Sequence, residues 1–260
     1  MRLFTLAILM ARVPALRPWE LTEGAQFDVL AGLPVLLATI RCGVVIAMHL
    51  GTPCQSFTQA RVPALRSRKF PLGLPDLTDK QQEQVRSGND LSDASASLCC
   101  ALYEAGGYFS LENPERSMIW LVPQLLELFS RAGVAAVLVF YNAYGTLFVK
   151  PTLLLHNMPT LHALHRPQPL RSRPMIELRG WVSFKGVKTA RTLLAQPYPP
   201  QLAMAYGDLV AESVTLRSEA ILESRTVPFA SEEASHGHPL CGVSLQHPVL
   251  QASAGSGFVC

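Results

Sequence analysis

The run Gly43-Val44-Val45-Ile46-Ala47-Met48-His49-Leu50 is apolar and β-branched at its start, it does not alternate, and Gly51-Thr52-Pro53 closes it with a turn signal. Such a run reads as a strand buried on both faces, inside a sheet that helices cover on both sides. Working outward, Leu91 to Ala105 reads as a helix, with Asn89 or Asp90 placed to accept the free amides of its first turn. Gly106-Gly107 ends it. Tyr108 to Leu111 is a second short strand, stopped at Asn113-Pro114 because proline has no amide hydrogen to give a ladder. Trp120 to Arg131 reads as a further helix and Gly133 to Tyr141 as a third apolar strand. Strand, helix, strand, helix, strand predicts an α/β fold on a parallel sheet with crossover helices.

The 260 residues are 49% hydrophobic and 16% charged, which supplies a sizeable core and excludes a mostly disordered chain. Lys+Arg 22 against Asp+Glu 19 gives +3, so any charge that attracts a polyanion has to be local. The six cysteines (Cys42, Cys54, Cys99, Cys100, Cys241, Cys260) form no CxxC pair, and so many residues need no disulfide scaffold. This reads as a reducing, intracellular compartment. No apolar run reaches the roughly 18 residues of a membrane helix.

The beginning of the chain leaves three readings open. Met1-Arg2 followed by Leu3 to Ala11 has the layout of a short secretory signal, yet Arg12-Val13-Pro14-Ala15 is a poor cleavage site. A weak targeting signal, a core strand and a non-native start all fit residues 1–27. The last is favoured by a repeat: Ala11-Arg12-Val13-Pro14-Ala15-Leu16-Arg17 recurs as Ala60-Arg61-Val62-Pro63-Ala64-Leu65-Arg66, too short for a structural repeat. Beyond the third strand, Leu153 to Arg173 is His-, Pro- and Arg-rich. A hairpin-like Ile176 to Phe184 follows, then Pro197-Tyr198-Pro199-Pro200 leading into a helical Gln201 to Glu212. Residues 216–260, rich in Ser, Pro, Gly and His from about Glu223 onward, are expected to be disordered.

In an open α/β sheet ligands gather outside the carboxyl ends of the strands. Two reactive side chains stand at such ends, Cys54 after the first strand and Glu112 after the second. A thiol at a strand-to-helix turn near a helix N-terminus is activated toward thiolate and becomes a nucleophile. The plain alternative is a buried small residue and a capping acid. His162 and His165 share the spacing of one helix face, as a metal pair would, but no third ligand is near in sequence, and surface histidines explain them. His236-Gly237-His238 with Cys241 reads as tail composition. Trp120 and Trp181 read as packing residues.

Four short motifs, in order and next to strands, bear on the choice. Gly51-Thr52-Pro53-Cys54-Gln55-Ser56-Phe57 resembles the Pro-Cys-Gln segment of the C5-cytosine-specific DNA methyltransferase family, and Leu111-Glu112-Asn113-Pro114 resembles its Glu-Asn-Val segment. Tyr144-Gly145-Thr146-Leu147-Phe148-Val149-Lys150-Pro151-Thr152 is similar to the family's Tyr-Gly-Val-Pro-Gln-x-Arg-x-Arg. Pro197-Tyr198-Pro199-Pro200-Gln201-Leu202-Ala203 is similar to the motif that returns to the cofactor pocket. The resemblance implies a Rossmann-like S-adenosylmethionine-dependent methyltransferase domain over residues 28–215, incomplete at its N-terminus. It implies DNA as partner and a nuclear location if the source is eukaryotic.

The same resemblance implies roles. Cys54 is expected to add to C6 of a flipped cytosine and Glu112 to hold a proton at N3 through a carboxyl pKa raised by burial. Gln55, Ser56, Arg61, Asn113 and Lys150 are expected around the substrate, and Pro53 and Tyr198 around S-adenosylmethionine. The loop Ser56 to Gly88, with Arg61, Arg66, Arg68 and Lys69, is expected to meet phosphates. Departures are plain: no Phe-x-Gly-x-Gly loop precedes residue 28, Phe148 replaces the motif's glutamine, and Lys150 and Thr152 replace its arginines. No large target-recognition segment separates the third and fourth motifs. A non-catalytic remnant or nucleic-acid-binding module of the same fold, derived from a mobile element, is therefore the alternative. A Cys hydrolase is the third class, and it needs a histidine beside Cys54, with His49 inside the strand expected to point away.

Overall fold

The computed structural model describes residues 2–19, 24–168, 176–178, 180–184, 186–226 and 258–259. Strands β1 (Val45–Leu50) and β2 (Tyr108–Pro114) are parallel neighbours, with Ala47 opposite Tyr108 and His49 opposite Ser110. Helix α3 (Asp79–Glu104) carries the chain between them and packs on both. The third apolar run forms β3 (Ala135–Phe140), but it does not join β2. Between them lies β4 (Pro151–His156), antiparallel to both. The sheet is therefore mixed, which corrects the expected all-parallel ladder. Prolines and polar residues around 151–160 hide this strand in the sequence, whereas pairing on two sides stabilises it. A two-residue strand, Phe258–Val259, lies beside β1.

Helices cover both faces, as the continuous apolar strands require. One core joins Met48, Leu50, Phe109 and Leu111 to α3, to α2 (Val29–Arg41) and to α4 (Pro123–Phe129). The other joins Ala47, Val137, Val139 and Leu154 to α1 (Arg2–Met10) and α5 (Pro200–Thr226). The start of the chain is thus a helix, with Phe4, Ala7 and Ile8 buried against α5, and not a core strand. The crossing is close enough that a Cβ on Gly207 would lie 2.7 Å from the Ala7 carbonyl.

Other boundaries differ for local reasons. Helix α3 begins twelve residues before Leu91, at Thr78-Asp79, where Gln81 Oε1 accepts the Thr78 amide. Its first turns are solvent-facing, so apolar periodicity does not reveal them, and Asn89 and Asp90 lie inside the helix instead of capping it. Trp120 sits in a 3-10 turn, Met118–Leu121, ahead of the short α4. The hairpin pairs β5 (Trp181–Phe184) with β6 (Val187–Ala190), one arm later than Ile176 to Phe184. Helix α5 runs past Glu212 to Thr226, into the segment assigned to the tail, and residues 227–257 with Cys241 and His236 to His238 lie outside the described residues. No helix among the described residues is long and apolar enough to cross a membrane.

Candidate functional site

Strand β1 delivers Gly51, Thr52 and Pro53 to the carboxyl edge of the sheet, where the Cys54 carbonyl accepts the Phe57 amide and closes a tight turn. Three interactions hold this turn. Asn113 Nδ2 donates to the Thr52 carbonyl at 2.7 Å, tying the end of β2 to the end of β1. The Phe57 carbonyl accepts the Met118 amide at 2.9 Å, and Thr52 and Ser95 hydroxyls share a hydrogen bond at 2.7 Å. Gly88 of α3 lets the turn come close, because a Cβ there would meet Ser56 Oγ at 2.2 Å.

Cys54 is half-buried. Burial pushes its thiol above the ordinary range; the Lys150 ammonium opposes the shift and the Glu112 carboxylate adds to it. These two groups lie 38 residues apart in the sequence. Glu112 stands at the end of β2 and is buried, with Oε2 accepting from Tyr198 Oη at 3.3 Å. Lys150, just before β4, places Nζ 3.6 Å from Glu112 Oε1 and donates to Tyr141 Oη at 3.3 Å. Its ammonium also lies 4.6 Å from the centre of the Tyr141 ring. Burial first, and the neighbouring carboxylate second, raise the Tyr141 phenol, so it stays protonated.

The structure therefore brings Cys54, Glu112, Asn113, Lys150 and Tyr198 together. It separates others. Ser56 is buried with its oxygen receiving Arg66, and Gln55 is exposed. Arg61 donates to Gln84 on α3 at 2.7 Å. Arg66 is not a free phosphate ligand: it is buried, stacks its guanidinium 3.8 Å over the Phe57 ring, and donates to Ser56, Pro71, Val85 and Asn89. It is an internal clamp of the loop 56–78. Arg68 and Lys69 remain at the surface.

Sequence reasoning missed His49. Its imidazole is buried and, as expected, turned away from Cys54, with Nδ1 2.8 Å from Ser110 Oγ and Nε2 3.0 Å from Tyr198 Oη. The strand pairing that sets His49 beside Ser110 is a through-space register, and only the period-2 rule placing His49 and Ala47 on one face hinted at it. Both ring nitrogens are engaged away from Cys54, so the hydrolase reading loses its base. Trp120 is buried as expected, its indole donating to the Pro114 carbonyl. Trp181 is 62% exposed, against expectation. His162 and His165 are exposed, and His162 faces the buried His156, with ring centres 4.9 Å apart. No group of three metal-binding side chains occurs among the described residues.

A cavity of about 310 Å³ opens beside the Thr52-Pro53 turn, walled by Phe4, Ile8, Trp19, Leu36 and Leu98. Its apolar wall suits a flat heteroaromatic ring such as adenine. The amino-acid end of S-adenosylmethionine needs donors for a carboxylate, and the lining contains no lysine or arginine among the described residues. Its one carboxylate, Asp28, is engaged by the Leu30 amide at the start of α2. Tyr198 does not line this cavity. The described residues thus fit part of that cofactor and not the whole. In comparisons with known proteins, the chain matches no family model, no curated protein and no solved structure.

Proposed function

We propose that the chain is a C5-cytosine methyltransferase-like domain of Rossmann-like fold that binds nucleic acid and activates an extruded cytosine through Cys54. The observation that carries this reading is the convergence of Cys54, Glu112 and Lys150, from three separate motifs, at one edge of the sheet. The Cys54 thiol gives its proton to solvent and the thiolate forms a bond to C6. The C5–C6 π electrons move into the ring, and N3 takes a proton from Glu112, whose carboxylate has first taken that proton from solvent. C5 is then nucleophilic. Reversal expels the thiolate, and an electrophile taken up at C5 replaces the hydrogen that leaves. Asn113 holds the turn that aims Cys54, and Lys150 keeps a positive charge against the carboxylate. Methyl transfer needs a donor pocket that the described residues do not complete, so no step is assigned to it.

Local charge supports a nucleic-acid partner. Residues 166–191 contain seven cations (Arg166, Arg171, Arg173, Arg179, Lys185, Lys188, Arg191) and one acid, Glu177, in a chain of net charge +3. The β5–β6 ribbon rises within this stretch with Trp181 exposed and Lys188 Nζ 5.6 Å from its ring centre. Cations beside an open aromatic face suit phosphates and stacked bases.

The test needs no methyl donor. In D2O, DNA cytosine is expected to exchange its C5 hydrogen when the protein is present, and Cys54→Ala to abolish the exchange. Exchange that persists in Cys54→Ala overturns the assignment. Salt-sensitive DNA binding that Trp181→Ala weakens, without any exchange, establishes the second reading: a non-catalytic binding module. Calorimetry with S-adenosylmethionine and S-adenosylhomocysteine tests the donor pocket directly.

A further inference from the structure

Five buried side chains stand in single file through the middle of the molecule. Tyr206 Oη is 2.8 Å from Ser110 Oγ, which is 2.8 Å from His49 Nδ1; His49 Nε2 is 3.0 Å from Tyr198 Oη, which is 3.3 Å from Glu112 Oε2. They come from β1, β2, α5 and the segment before α5, and Phe4 of α1 stacks on both tyrosine rings, with centres 4.1 and 4.3 Å away.

Counting donors fixes the direction of every hydrogen in this file. Tyr206 is fully buried and Ser110 is its hydrogen-bond partner, so the Tyr206 hydroxyl donates to Ser110 Oγ. The reverse leaves a buried O–H with no acceptor, which folded proteins avoid. The Ser110 hydrogen then goes to its other partner, His49 Nδ1. A neutral imidazole has one N–H. Burial keeps His49 neutral, with its pKa lowered to about 3, so that N–H is on Nε2 and donates to Tyr198 Oη. Tyr198 in turn donates to Glu112 Oε2.

We propose that this one-way file permanently occupies Glu112 Oε2 and confines proton exchange at Glu112 to Oε1, with Tyr206, Ser110, His49 and Tyr198 as positioning residues. Oε1 is the free position: it is buried without a hydrogen-bond partner and has Lys150 Nζ 3.6 Å away. A proton arrives at and leaves Oε1, while no bond to hydrogen breaks within the file. The direction of the file rests on the hydrogen-bond geometry and on the burial that keeps His49 neutral. Its service to a bound base rests on the reading of Glu112 as an acid given above.

The tautomer of His49 is read without any substrate, so it stands apart from cytosine chemistry, which C5 exchange tests. Long-range proton–nitrogen spectra of the full chain with 15N-histidine are expected to show His49 neutral with its proton on Nε2 between about pH 5 and pH 8. Tyr206→Phe removes one hydroxyl and keeps the ring. It leaves the Ser110 hydrogen with only His49 Nδ1 to go to, so the Nε2 proton is expected to stay, whereas Tyr198→Phe removes the acceptor of the Nε2–H and His49 is expected to populate both tautomers. A proton on Nδ1 in the parent, or a His49 spectrum unchanged by Tyr198→Phe, overturns the proposal. With 13C-labelled glutamate at neutral pH, the Glu112 carboxyl resonance is expected to move in Tyr198→Phe, because Oε2 loses its donor. An unmoved resonance also overturns the proposal.

Discussion

The Lys150 ammonium and the Glu112 carboxylate lie 3.6 Å apart, with side-chain exposures of 18% and 11%, at the edge of the sheet where Cys54 turns. The pair acts on Cys54 in opposite directions. Burial is the larger influence and keeps the thiol protonated at neutral pH, and the two opposed charges adjust how much thiolate forms.

Cys54 is therefore expected to react slowly with iodoacetamide at neutral pH and to speed up as pH rises beyond the ordinary thiol range. Lys150→Met removes the charge that favours thiolate and should move the rise to higher pH. Glu112→Gln removes the opposing charge and should move it lower. Mass-resolved alkylation of Cys54 across pH measures both. Shifts in the same direction would contradict the assignment of the two charges.

His156 makes a second, acid-side prediction. It is 1% exposed, neither ring nitrogen has a hydrogen-bond partner, and burial first, with the His162 imidazole second, lowers its pKa to about 4. Below about pH 6.5 the unfolded chain takes up a proton that the folded chain refuses, so stability falls as pH falls toward 4. Between about pH 7 and pH 5 this histidine accounts for roughly 2 kcal/mol. His156→Leu should lose that much less stability over the same interval and gain about 1 kcal/mol at neutral pH. Urea melts at the two pH values check it; equal acid losses in parent and variant would refute it. His49, also lowered, contributes in the same direction in both proteins.

Helix α1 belongs to the core, and its removal should be costly. Phe4→Ala empties the slot against Tyr198 and Tyr206 and is expected to cost about 3–5 kcal/mol. Gly207→Ala forces a methyl against the Ala7 backbone and is expected to cost about 1–3 kcal/mol. Chemical denaturation of the two variants tests this. Full stability in both would show that α1 does not pack where it is placed.

Arg61 and Arg66 are the second and last residues of one copy of the repeated heptapeptide yet differ in kind. Arg66, whose pKa burial lowers to about 10, serves four residues through its hydrogen bonds, and Arg66→Met should destabilise the fold by roughly 3 kcal/mol. Arg61→Ala should stay within about 0.5 kcal/mol. Thermal melts of both variants distinguish clamp from surface residue.

Much of the framework was legible in the residues. The apolar runs over 43–50 and 133–141 are strands because a continuous β-branched run has nowhere to go but a two-sided core, and Gly51-Thr52-Pro53 turns the chain so that Cys54 follows the first strand. Asn113-Pro114 does not stop the second strand as expected: β2 runs to Pro114, with Asn113 and Pro114 opposite Leu153 and Thr152 of β4, so Glu112 lies inside it. The start of α3 was hidden because its first turns face water. Strand β4 was hidden because its pairing partners lie 11–21 and 38–46 residues back, at Ala135 to Phe140 and Ser110 to Pro114, and local pattern carries no such information.

The sequence by itself thus determined a helix-covered sheet and the two reactive residues at its carboxyl edge, since hydrophobic patterning and turn chemistry act over a few neighbouring residues. Only the tertiary structure decided that Lys150 faces Glu112, that Arg66 turns inward, and that His49, Ser110, Tyr198 and Tyr206 form one file of hydrogen bonds. Those relations depend on donors and acceptors that strand register and helix crossing bring within about 3 Å, and a buried polar group accepts whichever partner folding delivers.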